Sequence, residues 1–212
     1  MKSFSQLDFD PRICLQQLEE FKQLLQSRQS LSERNDILPF FRERQHLSAA
    51  VGFYNPDIIQ PSQIAFEYDM FGDFASDLVV GDSVSKAYCF VEFEDAAPNS
   101  IFVSKAGKNT PEWSPRFEHG CSQIVDWFWK LDDMERTEDF ENRFNGRAID
   151  YIGVLVIGRN ENLELRERKR LAWRKKKLLV NSQHIKCITF DELYENSLSR
   201  VSQYEFIFRG DS

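Results

Sequence analysis

The sequence predicts a mixed α/β fold, in which helices lie on the faces of one sheet that contains antiparallel and parallel strands. Three observations support this prediction. Residues 64–94 contain three short strand-like segments separated by tight turns, residues 151–157 form an uninterrupted apolar run, and helical and strand patterns alternate from residue 114 onward. A meander followed by helix–strand crossovers produces a mixed sheet of this kind.

Helices are predicted for the N-terminal part of the chain. An aspartate followed by a proline opens a pattern of apolar residues at helical spacing over residues 10–29. A second helical stretch covers about residues 33–50, with an interruption near Pro39. We therefore divide the chain into an N-terminal helical segment, 1–60, and a main domain, 61–212. The segment either packs on the main domain or forms a separate module.

The middle of the chain has the pattern of an antiparallel meander. Apolar and polar residues alternate over residues 64–70, a second strand covers residues 74–80, and a third covers residues 87–94. The two connections between them are tight, which favours hairpins. Strands that are neighbours in sequence are therefore predicted to pair.

Helices and strands alternate in the remainder of the chain. A Ser-Pro pair opens a helix over residues 114–133, and the apolar run 151–157 is typical of a strand that is buried on both faces. A charged helix over about residues 162–179 follows, and then a strand over residues 184–189. A short helix is predicted to begin with a Thr-x-x-Glu capping box at Thr189.

The composition excludes several classes of protein. No apolar run approaches the roughly 18–20 residues of a membrane span, and the first residues lack the apolar stretch of a signal peptide. The four cysteines lie far apart without a CxxC pair, which argues against a disulfide framework and a zinc knuckle. We expect a cytoplasmic protein with reduced thiols and no membrane partner.

The charge of the chain is unevenly distributed. The net charge of −7 argues against a protein that coats nucleic acid indiscriminately. Residues 166–177, in contrast, contain eight basic residues and one acid, so this stretch carries +7 and the rest of the chain −14. Such a stripe is typical of contact with a phosphate backbone, but also of a solvated helix face. The candidate nucleic-acid-binding residues are Arg166, Arg168, Lys169, Arg170, Arg174 and Lys175.

Acidic residues interrupt the apolar strands of the meander. Asp77 precedes the run Leu-Val-Val, and Glu92 and Glu94 lie two residues apart in the next strand, which puts both glutamates on one face. Burying such carboxylates together is costly unless a cation neutralises them, and a divalent metal ion does so directly. The alternative is that all three acids lie on a solvent-facing side of the sheet.

These segments carry a resemblance to a known group of enzymes. Residues 76–80, residues 90–94 and Gln123 in the following helix resemble the D…(E)x(K)…Q pattern of PD-(D/E)XK nucleases. Together with residues 152–159 and 188–193, they resemble the Shedu family of bacterial anti-phage defence nucleases, over about residues 12–200. The resemblance implies a PD-(D/E)XK core and a metal-dependent DNA endonuclease or nickase that assembles as a homo-oligomer.

The resemblance also implies roles for individual residues. Asp77, Glu92 and a backbone carbonyl near Phe93 would hold Mg²⁺ or Mn²⁺, which polarises the phosphodiester and activates a water molecule. Gln123 would orient the water or the phosphate. Glu94 stands where the family pattern usually has a lysine, whose positive charge stabilises the reacting groups.

The glutamate at this position leaves three hypotheses open. In the first, Glu94 acts as a general base or an extra metal ligand, and the protein cleaves DNA. In the second, the protein is an inactive nucleic-acid-binding or regulatory module on the same fold. In the third, it is a protein-interaction domain whose acids are surface residues. Metal binding separates the first from the third, and cleavage separates the first from the second.

Overall fold

The structure is a computed structural model that describes residues 3–180 and 182–209, with the side chains up to residue 206. Eight strands lie in this part of the chain: β1 (Ser5–Gln6), β2 (Gln63–Met70), β3 (Phe74–Asp82), β4 (Ala87–Phe93), β5 (Phe102–Val103), β6 (Glu112–Trp113), β7 (Asp150–Val156) and β8 (Lys186–Ile188). Its α-helices are α1 (Pro11–Ser27), α2 (Leu38–Glu43), α3 (Gln45–Ala50), α4 (Pro115–Met134), α5 (Glu138–Phe144), α6 (Leu165–Lys177) and α7 (Phe190–Arg209).

Six of these strands form one mixed sheet in the order β1-β2-β3-β4-β7-β8. The pairs from β1 to β4 are antiparallel, and β4–β7 and β7–β8 are parallel. The predicted meander and the predicted mixed α/β sheet are therefore confirmed. β4 is central and buried along its whole length, because helices cover both of its faces.

The N-terminal helices cover one face of the sheet. Asp10 caps α1 as predicted, since its side chain accepts a hydrogen bond from the Arg12 amide at 2.7 Å. A π-helical turn, Glu33–Ile37, leads into α2, so the helix type changes next to Pro39, and a second break follows at Arg44. Apolar residues of this segment share one core with β3, β4 and β7, so it packs on the main domain.

Helix α4 covers the opposite face. Ser114 caps it, and its Phe117, Ile124 and Phe128 pack in a second core with strand residues such as Phe90. The helix lies unusually close to β7, because a Cβ on Gly153 would lie 2.3 Å from a methyl carbon of Ile124. A Cβ at Gly120 would likewise lie 2.6 Å from Leu155. Glycine is required wherever helix and strand approach this closely.

Some elements differ from the prediction. The helix that begins after Thr189 has its predicted capping box, in which Thr189 and Glu192 bond each other's backbone amides. The prediction that it is short was wrong, since α7 runs for 20 residues and packs on α1. The β5–β6 hairpin and α5 were not predicted. No helix in the described ranges is both long and apolar enough to cross a membrane.

Candidate active site

Asp77, Glu92 and Glu94 lie on the sheet face that α4 covers. Side chains alternate along a strand, and Val79 and Phe90, each two residues from one of these acids, both belong to the α4-side core. Glu92 and Glu94 are only 7% and 2% exposed. The structure therefore buries these glutamates between sheet and helix and does not place them on a solvent-facing side.

The acids converge where β3 separates from β4. The last ladder pair at this end is Leu78 with Val91. Beyond it, the Asp77 carboxylate accepts a hydrogen bond from the Phe93 amide at 2.8 Å, and the Ser76 hydroxyl donates to the Val91 carbonyl at 3.2 Å. Side chains thus replace the missing strand partners, as buried backbone groups require. This splay draws Asp77 across to the end of β4, beside Glu92.

The three carboxyl groups are held in a setting that opposes their ionisation. Burial raises the pKa of Asp77 to about 7. Burial, and then the negative charges of Asp77 and Glu94, raise the pKa of Glu92 to about 10. Burial also raises the pKa of Glu94 to about 7, against the opposing effect of Arg116. Such a cluster gains much more from a nearby cation than surface acids do.

Gln123 reaches this cluster from α4. It lies one helical turn after Gly120, where the helix approaches the sheet closely, and its side-chain amide acts as a hydrogen-bond donor that lowers the pKa of Glu92. Its Oε1 atom is buried and accepts no hydrogen bond from any described group. A buried acceptor without a partner is able to accept a hydrogen bond from a polar ligand.

Glu94 has a cationic partner that the sequence did not suggest. The Arg116 guanidinium, in the first turn of α4, lies 2.5 Å from the Glu94 carboxylate and 3.1 Å from Asp95. The sequence contained a signal for this partner, because a basic residue in the first turn of a helix is unfavourable next to the helix dipole unless acids lie nearby. A positive charge from the neighbouring helix therefore lies beside Glu94.

The π-helical turn contributes a fourth acid, Glu33. Its backbone amide donates a hydrogen bond to the Asp95 carboxylate at 2.8 Å, and its own carboxylate lies 3.3 Å from Arg116. Its negative charge contributes to the raised pKa of each of the three strand acids. Burial raises the pKa of Glu33 as well. Glu67, the other acid near this edge, pairs instead with Arg42 at 2.9 Å.

The donor set fits a hard divalent cation. Carboxylate and amide oxygens are the ligands that Mg²⁺ prefers, and Asp77, Glu92 and Gln123 present these groups together. Within the described residues, no group of three or more His, Cys, Asp or Glu side chains has the arrangement of a complete metal site. Mg²⁺ commonly binds through one or two carboxylates and completes its shell with water and phosphate, so two protein carboxylates suffice.

A comparison with protein families assigns the chain. The family model for the C-terminal part of the Shedu protein SduA matches residues 30–194, which include every site residue described above. The chain belongs to the Shedu family. Membership of the Shedu family suggests a role in anti-phage defence. No curated protein matches the chain.

The basic helix of this Shedu chain divides its charges between two sides. Arg166, Lys169, Arg170 and Arg174 line a surface groove, whereas Arg168 and Lys175 lie on the other side of α6. Four of these six are engaged within the protein. Arg174 makes a bidentate pair with Glu118, and Arg168, Arg170 and Lys175 bond Leu163, Pro111 and Glu192. Arg166 and Lys169 make no hydrogen bond or ion pair with any described residue.

The buried acids predict an unusual pH dependence of stability. Because the folded-state pKa of Asp77 and Glu94 is raised to about 7, the native state binds more protons than the unfolded state between about pH 4 and 7. The stabilising effect of these acids is therefore complete below about pH 4 and is lost as the pH rises toward 7. Glu92 extends the loss to higher pH.

We therefore expect the metal-free protein to melt at lower temperature at about pH 8 than at about pH 5. At about pH 8, Glu92→Gln should raise the melting temperature by roughly 3–6 °C, equivalent to about 1–2 kcal/mol for a domain of this size. Thermal unfolding in EDTA at both pH values measures the effect. An equal melting temperature of parent and Glu92→Gln at about pH 8 would show that the folded protein does not raise the pKa of Glu92.

Proposed function

We propose that this Shedu protein is a metal-dependent DNA endonuclease or nickase with a PD-(D/E)XK core. The observation that carries the proposal is the cluster of Asp77, Glu92 and Glu94 at the end of β4, where Asp77 bonds the Phe93 amide and Gln123 presents an unpartnered oxygen. Burying mutually repelling carboxylates destabilises a protein unless a cation or substrate uses them. A domain that only binds other proteins gains nothing from such an arrangement.

Each residue has a role in this proposal. Asp77 and Glu92 hold Mg²⁺ or Mn²⁺, which when bound polarises the phosphodiester and lowers the pKa of a water molecule. Gln123 orients this water, which donates a hydrogen bond to its free Oε1 atom. Glu94 accepts a proton from the attacking water, as a carboxyl group with a pKa of about 7 does efficiently near neutral pH.

Arg116 takes the place of the lysine in this scheme. The family pattern usually has a cation on β4, and here the guanidinium reaches the same position from α4 while it pairs with Glu94. Its side chain is 42% exposed and lines a pocket of about 410 Å³ together with Glu94 and His119. The charge that stabilises the transferring phosphate therefore lies at the edge of the site, where substrate can contact it.

Incubation of the purified protein with supercoiled plasmid and linear DNA, with Mg²⁺ and with Mn²⁺, tests the function. We expect nicked or linear products that EDTA suppresses. Intact DNA under both metal ions would reject the nuclease proposal. If the protein then still bound DNA, it would be the inactive nucleic-acid-binding module. The observation that supports this alternative is Glu94, which stands where the family pattern usually has lysine.

The basic helix should provide the contacts with the phosphate backbone, and Arg166 and Lys169 are two of the cations available for this purpose. Changing both to glutamine should weaken duplex binding and reduce the slope of log K against log salt by about two, because about two fewer counterions are released. Binding titrations at several salt concentrations measure it. The double variant Lys22→Gln/Arg136→Gln, which removes two positive charges from outside α6, is the control. An unchanged slope would identify the stripe as a solvated helix face.

A further inference from the structure

A groove of about 660 Å³ runs along the solvent side of α6. Trp113 of the β5–β6 hairpin forms one wall. The other wall consists of helix residues three or four positions apart, which therefore lie on one face: Arg166, Lys169, Arg170, Trp173, Arg174 and Lys177. The opposite face of α6 buries Glu167 and Leu171 against the protein, so the groove side is free for a ligand.

The Trp113 wall is rigid. Its ring lies 4.4 Å from that of Phe102 and stacks on Phe117 at 4.7 Å. The guanidinium groups of Arg170 and Arg174 lie 5.3 and 4.7 Å from its centre. Because these arginines are also tied to Pro111 and Glu118 within the protein, they line the groove but do not supply its free charge.

Trp173, unlike Trp113, is exposed to solvent. Its side chain is 67% exposed and makes no ring contact with any described residue. Lys169, which has no partner in the described chain, lies one turn before it, and Arg166 lies two turns before it. A large flat apolar ring is thus held in solvent next to two unpaired cations.

We propose that this groove binds single-stranded DNA, with an unpaired base stacked on Trp173 and the adjacent phosphates on Lys169 and Arg166. The inference rests on the proposed function only in taking DNA as the ligand. An aromatic face beside a line of cations is the arrangement that proteins use for unpaired nucleotides, since every base has a stacking face and every linkage a charge. The groove also has the volume of a ligand site.

Unpaired DNA fits the groove better than the two other occupants. In a duplex the base faces are already stacked, so cations alone would serve and an exposed tryptophan would gain nothing. A second copy of this acidic chain would satisfy the charge, but its carboxylates would not use the flat face of Trp173, on which an unpaired base stacks. The first turn of α4 connects the groove with the acids, since Glu118 contacts Arg174 and Arg116 contacts Glu94.

The test compares single-stranded and duplex DNA of the same length. Fluorescence anisotropy in EDTA measures binding by the full chain without cleavage. The labelled ligands are oligo(dT) of about 20 nucleotides and a duplex of mixed sequence of about 20 base pairs. Trp173→Ala should weaken binding of the single strand by about tenfold or more and of the duplex by less than about twofold, without changing the salt slope. Trp173→Phe, which retains a ring, should stay within about threefold of the parent. Trp129→Ala, at a 58% exposed tryptophan of α4, is the control.

Three results would overturn the groove proposal. These are equal losses for both DNA forms, no loss for the single strand, and a parent that does not bind the single strand. Sedimentation of Trp173→Ala is measured in parallel, and a change from oligomer to monomer would assign the groove to contacts between copies instead. The binding assay needs no catalysis. If the parent fails to cleave DNA but Trp173→Ala selectively weakens binding of the single strand, the nuclease proposal is rejected and the groove proposal stands.

Discussion

We expect replacement of Glu92 with glutamine, or of Asp77 with asparagine, to lower the proposed metal-dependent DNA cleavage by at least about 10³-fold, while DNA binding through α6 persists. The two carboxylates are the proposed metal ligands, and an electrophilic metal ion supplies several kcal/mol of transition-state stabilisation, with about 1.4 kcal/mol for each factor of ten in rate. Plasmid nicking under single-turnover conditions measures the loss. Isothermal titration with Mn²⁺ should show that metal binding is lost in parallel.

Unfolding cannot explain such a loss, because Glu92→Gln is expected to stabilise the metal-free protein at about pH 8. Asp126→Asn provides the matched control, since it removes one acid from the exposed side of α4 and should retain parental cleavage. A Glu92→Gln protein that cleaves at the parental rate would exclude a catalytic role for the buried acids.

The pair formed by Glu94 and Arg116 should be the second most sensitive point. Glu94→Gln is expected to reduce cleavage by about 10²- to 10⁴-fold through the loss of a general base, with DNA binding largely intact. Arg116→Ala should reduce cleavage by about 10²- to 10³-fold, the usual effect of removing one group that stabilises the transition state. It also leaves Glu94 buried without its counter-charge, which destabilises the fold.

A double variant separates folding from chemistry. Glu94→Gln/Arg116→Ala removes both charges, so its stability should return toward that of the parent while cleavage stays low. Glu94→Lys/Arg116→Gln moves the cation from the helix to the position where the family pattern has lysine, and should retain more activity than either single charge deletion. If Arg116→Ala cleaved normally once stabilised at low temperature, the ion pair would be purely structural.

Much of the fold followed from local patterns in the sequence. Capping residues such as Asp10, Ser114 and Thr189 fixed the helix starts, and the alternation over residues 64–70 fixed the meander. Short elements were missed because they depend on tertiary contacts. The β5–β6 hairpin, whose strands have two residues each, depends on the packing of Trp113 against Phe102, and no local propensity predicts it.

The site was predicted only in part for a similar reason. Period-two spacing placed Glu92 and Glu94 on one face, but it could not decide whether helix or solvent covers that face. Whether α4 lies there depends on close contacts such as that at Gly153. Arg116 and Glu33 come from segments far from β4 in sequence, so only the folded chain brings their charges to Glu94.

The packing of α7 on α1 has a consequence for the order of folding. Phe9 lies 5.7 Å from Tyr204 and Phe21 lies 6.4 Å from Tyr194, measured between ring centres. During synthesis α1 emerges from the ribosome long before α7, after which the whole sheet must still be made. The part of its apolar side that packs on α7 therefore stays uncovered until α7 emerges, whereas the β2–β4 hairpins can form at once from neighbouring segments. Translation itself thus delays completion of the fold that holds the acids together.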